Sequence, residues 1–484
     1  MPKYGRRSPL TIHNSRIVHD SANSPCQSVP ASILLVGYGA IGQALMPLLL
    51  NRFDIEPTHV TVISPCKAEE AIAVQYGLKF INAGVTPNNL DALLSPLLKE
   101  GDWLVNVSVN VSSLDLIRWC QARGVLYLDT CIEPWPEQYG SPKNPNGLTN
   151  YALREEALSL HRPGAPTAVV AHGANPGLVT HFAKAGLVNL AAMRNIVSWT
   201  SWADLACQLD IRVIQVAERD AQVVADLPFE SGCFYNTWSV DGFLAEALQY
   251  AELGWGTHEV SLPSNGSLHL VGGRSGIYLN QHSAHVQVRS WVPSVGEQWA
   301  YLITHHEALS IASLLTTFSA NGCPSYRPTV YYAYRPSSIT CKSINYWLSR
   351  GLVDPSSKVV LKDDLIDGFD QLGVLFVFPG GAYWYGSSLT LQEARTIAPN
   401  NNATTMQVAA GIIGAIEWMR NHPHEGVVEA ESMDFREVLT IASPYLGDVS
   451  GAPSNWQPND KGELKWQDFE IVPSRTVIQR EAVS

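Results

Sequence analysis

The sequence contains no run of about 18 apolar residues, the length that a membrane-spanning helix requires. Charged residues are also scarce, at 16% of the 484 positions, against roughly 25% in an average domain. We therefore predict a soluble protein with much of its chain buried in domains or at a subunit interface. The net charge of −12 argues against nucleic acid and anionic membrane as partners.

The eight cysteines form no C-x-x-C pair. In a chain of this length, scattered cysteines indicate reduced thiols in the cytoplasm and neither a disulfide framework nor a zinc site. The first 30 residues also lack the apolar segment of a secretory signal. We predict a cytoplasmic protein in which residues 1–31 form a disordered tail.

The chain is long enough for two or three domains. It is also rich in aromatic residues, with 14 Trp and 18 Tyr. Short apolar strands alternate with helices from residue 32 to 175, as in VTVIS (60–64) and VLYLDT (125–130). This alternation is typical of βαβ units and a parallel sheet. The sequence therefore predicts an α/β domain of the Rossmann type.

Beyond this region the segments become richer in β-structure, and residues 176–400 are predicted to form a second, mixed α+β domain. The long apolar segment 401–421 is predicted to be a helix that returns to cover the first domain. Residues 422–484 are predicted to be a C-terminal extension.

The motif G-x-G-x-x-G occurs at Gly37, Gly39 and Gly42, directly after a strand and at the start of a helix; Ala40 and Ile41 complete it. Gly37 permits a tight turn, Gly39 lets a pyrophosphate approach the backbone, and Gly42 allows close packing of helix and strand. The helix N-terminus adds NH groups for the phosphates. The motif predicts a dinucleotide cofactor.

The second strand ends in Ser64, where an acid would normally bind the adenosine ribose. Serine can still form a hydrogen bond, and Lys67 lies near enough in sequence to suit a 2′-phosphate. NAD is the preferred cofactor, and NADP stays open.

The stretch NTWSVDGFLAEALQYAE (236–252) has helical periodicity, with Ser239 or Asp241 at its start. Its predicted packing stripe is Val240, Phe243, Leu244, Ala247 and Leu248. Glu246 lies opposite this stripe, and Trp238 precedes the helix. Taken alone, each of these two residues has an ordinary structural interpretation, as a solvated carboxylate and an edge-packing aromatic.

Thirteen blocks of sequence, in order after residue 32, resemble the bacterial homospermidine synthases, which are related to saccharopine dehydrogenases. They include GYGAIG (37–42), YLDTCIEPW (127–135), GANPGLV (173–179), VAERD (216–220), YNTWSVDGF (235–243), THHEALSIA (304–312) and DGFDQLGVL (367–375). The resemblance implies a Rossmann domain followed by a domain for substrate binding and dimerisation, and a homodimer.

The resemblance also implies a reaction. Two putrescines, or spermidine and putrescine, are joined through imines with no net redox change, because NAD takes up a hydride and returns it. The implied catalytic residues are Glu246, His305, Trp238 and Asn175. Acidic residues for substrate binding are Glu218, Glu133 and Asp370, and further cofactor contacts are Ser64, Asn110, Thr130 and Asn175.

Four positions depart from the expected pattern: Ser64, Asn110 in place of aspartate, His306 in place of asparagine, and Arg335 near a site for polycations. No metal is predicted, because neighbouring histidines at 305 and 306 would point about 100° apart on a helix.

Two alternative functions stay open. A saccharopine or carboxynorspermidine type of reductase would consume NADPH and need Arg or Lys for a substrate carboxylate, and an NAD-sensing scaffold would not need Glu246, His305 and Trp238 together.

Overall fold

The computed structural model describes residues 32–472 apart from 54, 139–148, 226, 270–271, 273–274 and 460–461. The tail predicted for residues 1–31 lies outside the described residues. Among those described, no helix combines the length and apolar character needed to cross a bilayer.

The first domain is a parallel sheet covered by helices on both faces. Its elements are β1 (Ile33–Val36), α1 (Ala40–Phe53), β2 (Val60–Ser64), α2 (Glu70–Gln75), β3 (Lys79–Asn82), α3 (Leu90–Leu94), β4 (Trp103–Asn106), α4 (Ser113–Arg123), β5 (Leu126–Asp129), α5 (Asn150–Ser159) and β6 (Ala168–Val169). The strands are ordered 6-5-4-1-2-3 across the sheet, and the point at which this order reverses lies between β1 and β4, as in dinucleotide-binding folds. Residues of β1 are almost completely buried, because a parallel sheet is covered on both faces.

The second domain is built around a large, mostly antiparallel sheet. Its elements are α6 (Leu178–Met193), α7 (Trp202–Gln208), β7 (Val213–Asp220), β8 (Val223–Val224), β9 (Cys233–Asn236), α8 (Val240–Leu248), β10 (Tyr250–Gly254), β11 (Gly266–Leu268), β12 (Gly276–His282), β13 (Gln287–Val292), β14 (Gly296–Ile303), α9 (His306–Leu314), β15 (Thr317–Phe318), β16 (Pro324–Tyr326), β17 (Thr329–Arg335), α10 (Ser338–Ser349), β18 (Ser357–Val360), β19 (Leu365–Asp367), β20 (Phe369–Phe378), β21 (Gly381–Thr390) and α11 (Leu391–Ile397). The α/β fold class with a mixed second domain is confirmed.

The C-terminal segments serve both sheets. They are α12 (Ala403–Asn421), β22 (Val427–Val428), α13 (Phe435–Ala442), β23 (Asp448–Ser454) and α14 (Trp466–Phe469). Helix α12 packs against α1, and β22 extends the first sheet beside β6, whereas β23 pairs with β21 in the second sheet. Residues 422–484, predicted as a C-terminal extension, therefore contribute strands to both sheets.

Strand β7 lies at the centre of the second sheet, parallel to β17 and antiparallel to β20. The register sets Glu218 beside Tyr334 on β17 and beside Leu372 on β20. Side chains alternate along a strand, so Glu218 shares one face with Tyr332 and Tyr334. Arg335 lies on the opposite face, where its guanidinium is 3.5 Å from the Trp299 ring centroid.

Helix α8 begins after Ser239, whose hydroxyl accepts a hydrogen bond from the Gly242 amide. Four residues of the predicted stripe are buried: Val240, Phe243, Leu244 and Ala247. The prediction for Leu248 was wrong, because its side chain is 40% exposed. The helix ends at Leu248 and Gln249 is extended, so the helical periodicity no longer holds there.

Candidate functional site

A continuous cavity of about 670 Å³ joins the glycine turn of the first domain to the acidic face of the second. Its first half lies beyond the carboxyl ends of β1, β2, β4 and β5, and includes Val36, Ser64 and Thr130. In α/β sheets this edge, at the point where strand order reverses, is where ligands bind. Its second half is formed by residues of α8, β7 and β17.

The glycine turn has the form that a pyrophosphate needs. Gly37 has a φ of +92°, and a Cβ there would lie 2.9 Å from the Ser108 backbone nitrogen. Gly39 borders open space, with no atom within 4 Å of an added Cβ. Gly42 does not line the cavity, and its Cβ would meet the Gly37 carbonyl at 2.9 Å. The open space at Gly39 faces the N-terminal turn of α1, which suits the phosphates of NAD.

A carboxylate that was not predicted from the sequence lies beside Ser64 in the first half of the cavity. The Ser64 hydroxyl donates to Glu69 Oε2 at 2.5 Å, and both residues line the cavity. Burial raises the pKa of Glu69, an effect that the hydrogen bond from Ser64 opposes. Lys67, considered for a 2′-phosphate, is exposed and does not line the cavity. An acid therefore stands beside Ser64, five residues later in the chain than expected.

The remaining predicted cofactor contacts lie around the same half of the cavity. Ala40, Ile41, Asn110 and Thr130 line it, and Asn110 adopts a φ of +65°. Asparagine is among the residues that tolerate this left-handed conformation.

At the other end, Asn175 and Tyr332 converge on Glu218. The Tyr332 hydroxyl donates to Glu218 Oε2 at 2.5 Å, and the Asn175 amide lies 3.5 Å from the same oxygen. Burial raises the pKa of Glu218 to about 8, against the lowering effect of the tyrosine hydrogen bond. A carboxyl group of this kind can hold or release a proton near neutral pH.

Asp370 does not line the cavity; it lies behind Glu218, on the adjacent strand. Its carboxyl accepts a hydrogen bond from Thr404, which does line the cavity. Burial and the neighbouring carboxyls of Glu218 and Asp220 raise the pKa of Asp370 well above its usual range. Asp370 therefore affects the site electrostatically, through the carboxyl group of Glu218.

Glu246 and His305 form a further polar cluster, in addition to the Ser64–Glu69 pair and the cluster around Glu218. His305 Nε2 lies 2.9 Å from Glu246 Oε2, and His305 Nδ1 lies 3.3 Å from Glu307 Oε1. Burial lowers the pKa of His305, but the two carboxylates outweigh burial and raise it well above its ordinary value. The His305 ring also packs on Tyr332, with 4.4 Å between centroids.

Trp238 and Glu133 complete the wall. Trp238 is half-buried and donates from Nε1 to the Tyr334 hydroxyl at 3.3 Å, while its ring meets Phe243 edge-on. Glu133 is buried, lies just after β5, and lines the cavity. Trp238, Glu246, His305, Asn175, Glu218 and Glu133, all selected from the sequence, thus line one continuous cavity.

Apart from the His305 ring, the charged side chains of the cavity wall are acidic. Its carboxylate residues are Glu69, Glu133, Glu218, Asp241 and Glu246. No lysine or arginine lies among the lining residues within the described ranges. Such a wall attracts cations and disfavours a substrate carboxylate.

His306 takes a direction different from that of His305. Its Nε2 lies 2.7 Å from Glu429, which also pairs with Arg154 at 2.6 Å. The two histidines therefore belong to separate networks. In the described part of the chain, no group of three or more His, Cys, Asp or Glu residues could hold a metal ion.

Three residues important to this geometry were not predicted from the sequence: Glu69, Tyr332 and Glu307. Tyr332 lies in the block YRPTVYYAY (326–334), but its role depends on the pairing of β17 with β7. The hydrogen bond between Ser64 and Glu69 could have been predicted from the sequence, because Glu69 lies only five residues after Ser64.

Two family descriptions match almost the whole chain. The Saccharopine dehydrogenase NADP binding domain matches residues 33–170, and the Saccharopine dehydrogenase C-terminal domain matches residues 173–452. Their junction coincides with the start of the turn that carries Asn175.

The individual relatives carry a more specific name than these two family descriptions. Homospermidine synthase of Mesorhizobium japonicum is 41% identical over 90% of this chain and 92% of the relative. That of Blastochloris viridis is 41% identical over 89% and 92%. The crystal structure of homospermidine synthase from Legionella pneumophila in complex with NAD superposes with a TM-score of 0.86, at 40% identity, over 92% of this chain and 98% of the other. The cavity, its acidic wall and these relationships agree, and the chain belongs to the homospermidine synthase family.

Proposed function

We propose that this enzyme joins two putrescine molecules into homospermidine and releases one ammonia, with spermidine as an alternative aminobutyl donor. The observation that carries the proposal is the cavity wall, which presents five carboxylate residues and no described lysine or arginine. A diamine carries two positive charges at neutral pH, since its amines resemble that of lysine, with a pKa of about 10.4. Such a ligand matches this wall in charge.

The first chemical requirement is a neutral amine at the reacting end. We propose that Glu246 accepts the proton of the bound ammonium and that the His305 ring, whose Nε2 lies 2.9 Å away, stabilises the Glu246 carboxylate by hydrogen bonding. Asn175, which hydrogen-bonds with Glu218, orients the amine nitrogen. NAD, when bound, accepts a hydride from the carbon bearing that nitrogen and returns it after the new C–N bond has formed.

The second requirement is a proton for the departing ammonia. Glu218 suits this role, because its pKa of about 8 lets it carry a proton near neutral pH and recover it from the second amine. Burial and the neighbouring carboxyl of Asp220 favour the protonated form of Glu218, whereas Asp370 opposes it. The second substrate's amine attacks the imine carbon, the original nitrogen leaves as ammonia, and reduction of the new imine gives a secondary amine, so no net oxidation results.

The third requirement is a path for a cation away from water. We propose that Trp238 contacts the cationic chain with its indole face, a cation–π interaction worth roughly 0.5–2 kcal/mol. Glu133, which the first domain contributes to the cavity wall, anchors the distal ammonium.

NAD-dependent formation of homospermidine tests the proposal. Purified protein incubated with NAD and putrescine should release homospermidine and ammonia in equal amounts, with no net accumulation of NADH. A protein that binds NAD but forms neither product would contradict the proposal. The reductase alternative predicts stoichiometric loss of NADPH with an amino acid and an aldehyde, which the acidic wall disfavours.

Assembly and location stay predictions. A homodimer is expected from the family resemblance, and mass photometry distinguishes one chain from two. A cytoplasmic location is supported by the cysteines, because all seven in the described residues are free and reduced thiols are usual in that compartment.

A further inference from the structure

Glu307 is a carboxylate in an unusual environment. It is fully buried at the first turn of α9, and neither of its oxygens has a hydrogen-bond donor among the described residues. The nearest cationic group is His305, whose Nδ1 lies 3.3 Å from Oε1. The contact is an ion pair without the alignment of a hydrogen bond. Burial of an unbonded carboxylate is costly, so its interaction with His305 is the main compensation that the structure offers.

His305 consequently has a carboxylate beside each ring nitrogen, Glu307 beside Nδ1 and Glu246 beside Nε2. A neutral imidazole donates from one nitrogen only, whereas an imidazolium donates from both. The other titratable groups around this cluster are Tyr332, which packs on the ring, Glu218, which interacts with the ring electrostatically, and Cys131, which interacts with Glu246 and Glu307. Carboxylates thus outnumber cations around His305.

We infer that Glu307 is a positioning residue for the reaction: it keeps the His305 ring protonated at Nδ1, so that the Nε2–H group is directed at Glu246 and the substrate nitrogen. The inference rests on the proposed function for its catalytic consequence. Its structural part, the protonation and orientation of one histidine, stands apart from turnover.

The adjacent histidine supplies a matched control. His306 also lies beside a buried carboxylate, Glu429, but neither residue lines the cavity. Removing the charge of Glu429 therefore changes a network of similar burial without changing the partners of His305.

The test compares Glu307→Gln, Glu307→Asp and Glu429→Gln. In Glu307→Gln we expect kcat to fall about 10- to 100-fold, by analogy with the loss of a carboxylate partner of a metal-bound histidine, with KM for putrescine changed less than about 3-fold. The loss of one carboxylate lowers the pKa of His305, so the alkaline limb of the kcat profile should move by about one pH unit or more to lower pH. Glu307→Asp keeps the negative charge, so the alkaline limb of its kcat profile should stay close to the pH of the parent enzyme. Glu429→Gln should leave the limb unmoved.

An NMR measurement on protein labelled in its histidine ring nitrogens gives a readout without turnover. With the His305 signal assigned by its loss in His305→Gln, we expect an imidazolium at pH 8 in the parent protein and a neutral ring in Glu307→Gln. An unchanged His305 signal and an unmoved limb would overturn the inference, as would equal shifts in Glu429→Gln. If Glu307→Gln does not fold, the same signal in Glu307→Asp decides, because withdrawal of the carboxylate by one methylene should shift the Nδ1 resonance. Failure to form homospermidine with the NMR shift intact would defeat only the proposed function.

Discussion

At the scale of single residues, the site depends on which carboxylates keep a proton. Glu218 has a pKa raised to about 8 by burial, whereas Glu429, which is equally buried, has a pKa of about 2. The difference comes from neighbours: Glu218 lies beside other acidic groups, and Glu429 lies between Arg154 and His306. One carboxyl therefore suits proton transfer and the other suits a permanent ion pair.

Trp238 can be tested by its aromatic face. We expect Trp238→Phe to retain more activity than Trp238→Ala, because a phenyl ring keeps part of the cation–π attraction. Complete loss of that attraction, about 0.5–2 kcal/mol, corresponds to a roughly 2- to 30-fold lower rate. Measurement of kcat/KM for putrescine checks this. Trp202, half-buried against Phe435 and outside the cavity, is the control: Trp202→Ala should lower stability and leave KM unchanged. Equal rates for the two Trp238 variants would contradict the cation–π role.

Glu69 can be tested by cofactor preference. Its carboxylate, held by Ser64, should bind ribose hydroxyls and repel a 2′-phosphate. We expect Glu69→Gln to weaken NAD binding by about 10-fold, a loss of roughly 1.4 kcal/mol, and to narrow the preference for NAD over NADP. Titration calorimetry with both cofactors measures the two affinities.

Glu70 is the matched control for that experiment, because it is the next residue and does not line the cavity. Glu70→Gln should leave both affinities unchanged. If Glu69→Gln does the same, the assignment of Glu69 to the ribose is wrong.

At the scale of elements, the turn between β1 and α1 contains two glycines that are needed for different reasons. Gly39 borders open space and Gly42 is pressed against the Gly37 carbonyl. One position therefore concerns a ligand and the other concerns packing of the helix on the sheet.

We expect Gly39→Ala to unfold at nearly the parent temperature and to lose NAD affinity, because its new methyl enters the space for the pyrophosphate. Gly42→Ala should lower thermal stability even without NAD, since its Cβ would lie 2.9 Å from a backbone oxygen. Differential scanning fluorimetry with and without NAD distinguishes the two. Loss of stability in apo Gly39→Ala would contradict the open space at that position.

At the scale of the whole molecule, a buried ion network joins parts of the chain that belong to both sheets. Arg154 on α5, His306 on α9 and Glu429 after β22 meet with distances of 2.6 and 2.7 Å. This network links residues of the first domain, the second domain and the C-terminal region, and none of its three members lines the cavity.

The network should make stability depend on acidity. Burial raises the pKa of Glu429, but Arg154 and His306 outweigh burial and lower it from 4.5 to about 2. A lowered folded-state pKa contributes stability that is complete above the unfolded value and is lost as the pH falls through the folded value, here between about 4.5 and 2. The contribution is on the order of 3 kcal/mol at neutral pH.

Glu429→Gln should therefore lower the free energy of unfolding by about 3–5 kcal/mol at pH 7, because it leaves a buried arginine with one partner removed. Its stability should also vary less than that of the parent below pH 4.5. Denaturant unfolding at several pH values measures both effects, and parallel curves for parent and variant would contradict the role of Glu429.

Much of the architecture could be predicted from local pattern. The strand VTVIS, the glycine turn and helix α8 with its cap at Ser239 depend on neighbouring residues, and periodicity reveals them. The prediction for Leu248 failed because the position of a helix end depends on tertiary packing as well as on local periodicity. The neighbours of His305 could not be predicted from spacing, because Glu246 is 59 residues away.

The sequence by itself determined the dinucleotide turn, the alternation of strands and helices, and the acidic character of the chain, because these depend on residue type and short-range spacing. Family resemblance added the identity of the candidate residues. Only the tertiary structure decided their partners: that Glu69 stands beside Ser64, that Asp370 lies behind Glu218, and that Glu307 and Glu246 face opposite nitrogens of His305. These contacts arise from strand register and from the packing of α8 against its neighbours, which bring together segments far apart in the chain.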